Sequence, residues 1–433
     1  MVDGGGLSIR NGRLIDPANG IDQQLDVHIA DGRIIALGWP PPDFRADRTL
    51  DASGQVVCPG IVDLCCRLRE PGLEHKATIA SETAAAAAGG VTTLCCPPDT
   101  RPIIDTPAVA QLVHQTAERC GKARVIPAGA LTHGLAGEQI TEMAALKQAG
   151  CAVMSHADQP IRNTLVLRRA MEYASTFGLT IFLHPEDGYL RDHGCAHEGR
   201  VSTRLGLPGI PEAAETVAVA RDLALVEQCG AQVHFRGLSA ARATAMLEEA
   251  QRRGLRVSAD VSAHQLFLTE EDVEGFNSNC HVLPPLRTLA DRQALREAVA
   301  HGSVAAICSD HQPHEADAKL NPFPETAPGI SAVETLLPLT LRLAAEGVTD
   351  LSTAIARLTL GPAEILGLPV GRLDPGRIAD LCVFDPQARW TVAPETLTSR
   401  GHNTPFRGLE LQGRVTWTLL AGRVVYERER AAP

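Results

Sequence analysis

An α/β architecture, a (β/α)8 TIM-like barrel carrying a small β-sandwich assembled from both chain termini, follows from three patterns in the 433 residues. Between residues 56 and 366, short apolar runs alternate with helical stretches, as the strand–helix units of a parallel sheet do. There are about eight such runs, the number a closed barrel needs. The segments 1–55 and 367–433 read instead as short strands with tight turns, and neither end holds enough sheet to stand alone.

At the N-terminus, Leu7-Ser8-Ile9-Arg10 runs into Asn11-Gly12, a hairpin signal. Leu25-Asp26-Val27-His28-Ile29 and Arg33-Ile34-Ile35-Ala36-Leu37 flank Asp31-Gly32, a second one. Val56 to Val62 reads as the first barrel strand. The next runs are 91–95, 123–127, 152–154, 180–183, 232–235, 256–259 and 304–308. Helices are expected over 81–88, 107–120, 215–229, 240–253 and 290–300. The strand pattern of the ends returns at 379–384, 414–418 and 423–426. A doubly wound open sheet is the rival architecture, but no GxGxxG follows a strand.

Composition narrows the function classes. Hydrophobic residues make up 44% and charged residues 21%, an ordinary globular balance, while the net charge of −11 argues against a nucleic-acid surface. Aromatics are only 3%, so the core must be built from Ala, Val, Leu and Ile. No apolar run approaches the ~20 residues that span a bilayer. Met1-Val2-Asp3-Gly4-Gly5-Gly6 shows no secretory pattern. The 12 cysteines include the adjacent pairs Cys65-Cys66 and Cys95-Cys96 but no CxxC. They read as core thiols of a reducing, cytoplasmic compartment, with Cys65 set apart.

Polar residues gather where barrel enzymes keep their chemistry, at the C-terminal ends of the strands. These are Cys65 and Arg67, then Pro98-Asp99-Thr100, Ser155-His156-Ala157-Asp158, His184-Pro185-Glu186-Asp187, Gly237-Leu238-Ser239 and Ser309-Asp310-His311-Gln312-Pro313-His314. Either a polar rim or a present or former active site would account for them, and several His and Asp on successive strands favour the site.

The run Asp63-Leu64-Cys65-Cys66-Arg67-Leu68-Arg69-Glu70-Pro71-Gly72 resembles the signature of class I dihydroorotases, of the amidohydrolase superfamily, in which Asp-x-His-x-His precedes Leu-Arg-Glu-Pro-Gly. Pro97-Pro98-Asp99-Thr100-Arg101-Pro102, Gly206-Leu207-Pro208-Gly209-Ile210-Pro211, Pro284-Pro285-Leu286-Arg287, Ala327-Pro328-Gly329-Ile330 and Gly376-Arg377-Ile378-Ala379-Asp380-Leu381 extend the resemblance over nearly the whole chain. It implies a zinc site that activates water against a cyclic amide, with a carboxylate handling the proton. On those positions this chain departs. Cys65 and Arg67 replace two histidine ligands, His156 stands where a Ser-Asp-Asp-Gly segment offers an aspartate, and Gly237 stands where a His-Val-Ser histidine belongs. His184 matches a ligand, and Asp310 matches the catalytic carboxylate. Arg69 and Asn279 match substrate contacts, and Asp99 replaces an Asn among them. Asp99 would set a negative charge where an anionic substrate binds, and Arg69 could instead form an ion pair with Glu70 or Asp63. His311 and His314 could sit on the rim or meet a partner.

Arg cannot ligate a metal, since its guanidinium stays protonated, and Gly237 offers no ligand. The resemblance therefore implies a catalytically inactive homologue without a cofactor, a pseudoenzyme. Its expected role is that of a structural subunit that holds the catalytic chain of aspartate carbamoyltransferase in a homo- or hetero-oligomer for pyrimidine biosynthesis, with no nucleic acid or membrane partner. The alternative is an active zinc-dependent cyclic amidohydrolase, a dihydroorotase before an allantoinase or hydantoinase, with a rearranged site of Cys65, His156, His184 and Asp310. A Cys65 nucleophile with His156 or His184 as base is a third reading.

Overall fold

The computed structural model describes residues 5–429; the Met1–Gly4 part of the N-terminal reading lies outside them. Eight strands run parallel in chain order: Ile61–Asp63, Val91–Cys96, Arg124–Pro127, Val153–Ser155, Thr180–Leu183, Gln232–Phe235, Val257–Ser262 and Ala306–Cys308. The third passes its pairing from one side to the other, bonding the second strand through Arg124–Pro127 and the fourth through Gly129–Ala130. Closure between the last strand and the first comes just beyond their ends, where Cys66 bridges His311 in parallel. There the Ser309 N–H donates to Asp63 Oδ1 at 2.9 Å and the Ser309 hydroxyl donates to Asp63 Oδ2.

Local signals explain where the outer helices begin and end. Thr78 and Ser81 form a capping box at the start of Ile79–Ala88. Pro107 opens the helix Pro107–Cys120, and Gly121 in left-handed conformation ends it. Thr288 and Asp291 cap Leu289–His301, which Gly302 ends in the same way. The expected helices match to within two residues at each end. Ala85 and Ala86 are buried in the main core, consistent with so few aromatics.

The terminal strands form two sheets. One holds Leu7–Arg10, Val27–Ala30, Arg33–Leu37 and Arg48–Asp51; the other holds Arg13–Asp16, Ile21–Gln24, Val56–Pro59, Leu381–Thr391, Glu410–Leu420 and Arg423–Glu427. Both termini contribute to the second, with Cys58 opposite Cys382 across antiparallel strands. The hairpin at Asp31-Gly32 is present, with both turn residues at positive φ.

Two expectations are corrected. Leu7–Arg10 does not pair with Arg13–Asp16; it joins Val27–Ala30 and Arg48–Asp51, and Asn11-Gly12 carries the chain from one sheet to the other. Gly12 packs so closely on Val57 that a Cβ there would lie 2.6 Å from its side chain. The stretch from Val56 to Val62 is not one barrel strand. Val56–Pro59 belongs to the sandwich and Ile61–Asp63 to the barrel, which moves the boundary from residue 55 to the break at Gly60. A Cβ on Gly60 would come within 2.2 Å of Thr92, so only glycine lets the chain turn against the second barrel strand. No helix among the described residues is long and apolar enough to cross a membrane.

Candidate functional site: an ion-pair network in the barrel mouth

Every expected mouth residue except Asn279 follows the C-terminal end of a barrel strand, and six of the eight strands contribute one or more to one opening. At its centre lies the guanidinium of Arg67, almost fully buried. Its Nε donates to Asp99 Oδ2 at 2.7 Å, its Nη2 to Asp158 Oδ2 at 2.5 Å and its Nη1 to Asp310 Oδ1 at 3.2 Å. A second buried arginine, Arg236, reaches the same cluster. Its Nη2 lies 2.8 Å from Cys65 Sγ and 3.6 Å from Asp310 Oδ1, and its Nη1 lies 3.5 Å from Asp158 Oδ1. Two guanidiniums and three carboxylates from five different strand ends thus pair in one cluster, with the arginines and Asp310 buried and Asp99 and Asp158 partly exposed.

The ionisation of these groups follows from that packing. Burial works against the charge on Arg67, but Asp158 and Asp99 outweigh it and hold the guanidinium well above its ordinary pKa. Burial likewise opposes the Asp158 carboxylate, while Arg67 and Arg236 keep it far below the usual carboxylate range. Cys65 is the reverse case. Burial pushes its thiol well above the ordinary value despite Arg236, so it is held as a neutral thiol donating to Asp310 Oδ1 at 3.2 Å. A thiol kept protonated is a poor nucleophile, which removes the basis for the Cys65 mechanism. Asp310 Oδ1 takes Cys65 and Arg67, and Oδ2 accepts from Gln312 at 3.2 Å, so neither oxygen is left free as a base.

The zinc implied by the resemblance does not fit these residues. The Arg67 cation stands among the carboxylates that a metal would need, and Cys65 is engaged as a protonated donor. Among the described residues, no set of three or more His, Cys, Asp or Glu side chains is arranged to hold a metal ion. Cys65 and Asp310 meet, but His156 and His184 do not join them in a cage. His156 is buried with neither ring nitrogen hydrogen-bonded, and burial pushes its pKa down to about 4. His184 is half-buried and makes no hydrogen bond.

Gly237 has left-handed backbone (φ 61°), and its N–H donates to Asp260 Oδ1 at 2.6 Å. A side chain enters the mouth from the residue before it, Arg236. Sequence reasoning missed Arg236 because the matched position was Gly237. It also left Asp158 unassigned, although Asp158 follows His156 by two residues.

Farther out, Arg69 also adopts left-handed backbone (φ 64°), donates from Nε to Pro313 O at 3.0 Å and lies 3.1 Å from His314 Nε2. Burial, with Arg67 nearby, pushes it down to about 10. It pairs with neither Glu70, which accepts from the Ile79 N–H, nor Asp63, which accepts from Ser309. Asn279 sits half-buried in the turn Ser278–Cys280, and its hydrogen bond is from its own N–H to Asn277. The charge of Asp99 is taken up by Arg67 rather than left facing the opening. His311 is not a rim residue. It is fully buried, its Nε2 lies 2.7 Å from Glu82, and its Nδ1 accepts from the Ala332 N–H at 3.0 Å. His314 is buried too. Ala157 and Asp310 share the left-handed backbone of Arg69, a conformation costly for non-glycine residues and concentrated at functional sites.

Comparison with known proteins places this geometry. A family model described as dihydro-orotase-like matches residues 54–241, and an amidohydrolase family model matches residues 330–426. A dihydroorotase-like protein of Pseudomonas aeruginosa is 53% identical, covering 97% of this chain and 99% of its own length. One from Pseudomonas putida is 52% identical, covering 98% and 100%. A protein of Anaeromyxobacter dehalogenans named dihydroorotase is 44% identical, covering 98% and 99%. Among solved structures, L-hydantoinase (dihydropyrimidinase) from Arthrobacter aurescens superposes with a TM-score of 0.86 at 23% identity, over 99% of this chain and 97% of that one. At that identity the likeness shows the shared barrel and sheet domain.

Proposed function

The chain belongs to the dihydroorotase-like proteins of the amidohydrolase family, and from that premise we propose that it is a catalytically inactive member, a structural subunit that helps assemble aspartate carbamoyltransferase for de novo pyrimidine biosynthesis. One observation carries the loss of catalysis: the Arg67 guanidinium sits on Asp99, Asp158 and Asp310, in the space where water-activating chemistry would need a metal. A buried pair of this kind is not a vacancy awaiting an ion. Displacing Arg67 would take the cation from Asp99 and leave Asp158 and Asp310 only their longer contacts to Arg236, and removing one partner of a buried pair costs about 3–5 kcal/mol.

The assembly role is supported by what surrounds the mouth. The barrel is closed, helices such as Ile79–Ala88 and Leu289–His301 are capped, and Arg69, Ala157 and Asp310 hold left-handed backbone. A scaffold kept in order around a blocked centre suits a protein whose surface is its function. The partner itself is inferred from the family resemblance. Co-expression with an aspartate carbamoyltransferase catalytic chain, followed by size-exclusion chromatography, tests it; separate elution at micromolar concentration would overturn the assembly role.

A second reading is an active cyclic amidohydrolase, favoured by the relatives at 44% identity that are named dihydroorotase. Zinc-dependent turnover of dihydroorotate by the pure chain, abolished in Asp310→Ala, would establish it. Turnover that survives Asp310→Ala would point to a contaminating enzyme.

A further inference from the structure

On the outer wall of the barrel, between the helices Leu289–His301 and Leu336–Ala345, lies a cleft of about 520 Å³ closed at one end by the connection 405–409. Its lining holds Arg292, Arg296, Arg342 and Arg407 against a single carboxylate, Glu346. That is a local excess of three positive charges on a chain whose net charge is −11. None of the residues in the barrel-mouth network takes part.

Three of the four arginines, Arg292, Arg296 and Arg342, are held in place before any ligand arrives. The guanidiniums of Arg296 and Arg342 both lie 5.0 Å from the centre of the Phe267 ring. Arg296 Nε donates to Leu266 O at 2.7 Å, and Arg292 Nη1 donates to Phe267 O at 2.9 Å. Glu346 bridges two of them, 3.0 Å from Arg296 and 2.6 Å from Arg342. Donor capacity is left over: Arg292 Nε is buried without a partner, and Arg407 is exposed and makes no hydrogen bond. Burial lowers the pKa of Arg296; Glu346 pulls it back up, and the neighbouring Arg292 and Arg342 add to the lowering.

We infer that this cleft binds a small organic phosphate, its phosphoryl or pyrophosphoryl group on the arginines and an apolar body against Phe406 and Leu409. Guanidinium forks match phosphoryl oxygens in geometry and remain charged at any physiological pH. The volume falls in the range of small-molecule sites. Arg296 and Arg342 share both the Phe267 ring and the Glu346 carboxylate, so their charges are close enough to meet one polyanionic group rather than carboxylates spread along a peptide.

Isothermal titration of the full chain with pyrophosphate, in a buffer free of other polyanions, tests this. Saturable binding is expected, weakening as salt rises, and weakening at least about ten-fold in Arg342→Gln and in Arg407→Gln. Arg407 makes no structural contact that its loss would break, so that variant stays interpretable if Arg342→Gln misfolds. Lys76→Gln, which removes an amine 3.0 Å from His314 Nδ1 and outside the cleft lining, should bind as the unaltered chain does. No saturable heat at millimolar pyrophosphate would overturn the proposal, as would binding that both cleft variants retain. Tighter binding of a glutamate-rich peptide, displacing pyrophosphate, would overturn it in favour of an acidic protein segment.

Discussion

Arg67 Nε donates to Asp99 Oδ2 at 2.7 Å, so two positions that the sequence resemblance marks as departures from the dihydroorotase pattern pair with each other. Arg67 stands for a histidine ligand and Asp99 for an asparagine. Asp99 without the arginine would face the mouth as an unpaired carboxylate, whereas together they form an ion pair whose arginine also reaches Asp158 and Asp310.

Arg67→Ala should destabilise the fold by about 3–5 kcal/mol, because three carboxylates lose their shared cation inside the barrel. Asp99→Asn should cost less, about 1 kcal/mol, since Asp99 is partly exposed and an amide oxygen still accepts from Nε. Urea unfolding monitored by circular dichroism measures both. Equal stability of Arg67→Ala and the unaltered chain would show that the network is not holding the mouth.

The purified chain, dialysed against a chelator and then against buffer, should retain well under one zinc per chain by elemental analysis. Near-stoichiometric zinc would mean that the mouth rearranges around a metal, and the dihydroorotase assay would then decide the function.

His156 provides a pH test. Its folded pKa of about 4 lies below the unfolded value of about 6.5, so the unfolded chain binds more protons between them and stability falls as pH drops through that window. Between pH 7 and pH 5 this one group should account for a loss of about 2 kcal/mol. His264 and His281, also near 4, act in the same direction. Asp63 and Asp222, raised by burial to about 6, act in the opposite one. The comparison is therefore with His156→Leu, which should lose about 2 kcal/mol less than the unaltered chain over that interval. At pH 7 the variant should be at least as stable, because both ring nitrogens of His156 lack partners. An identical pH slope in the two proteins would sink this account.

Alkylation should bypass Cys65. At pH 8, iodoacetamide should modify Cys120 and Cys229 first, the two cysteines that are not fully buried. Cys65 should stay unlabelled until the chain is unfolded, since burial holds it as a thiol. Peptide mapping by mass spectrometry would show early labelling at Cys65 if its thiolate were accessible.

Much of this was legible in the residue order. Alternating apolar runs and helical periods marked all eight barrel strands, because a strand buried on both faces reads as a continuous apolar run and a wall helix as an amphipathic one. Two details were not legible. Asn11-Gly12 looks like a hairpin turn until Val57 is seen against Gly12, and Val56 to Val62 looks like one strand until Gly60 is seen against Thr92. Both depend on neighbours distant in sequence.

The same division holds at the mouth. The expectation that no histidine-based zinc site forms comes from chemistry at single positions, since neither an arginine at 67 nor a glycine at 237 can donate a lone pair. What stands in its place was decided by the tertiary structure. Arg67 and Arg236 lie 169 residues apart, on the first and sixth strands, and only barrel closure brings them together around Asp158 and Asp310. The energy of a buried charge depends on which opposite charges surround it in space, and no local reading of the chain contains that.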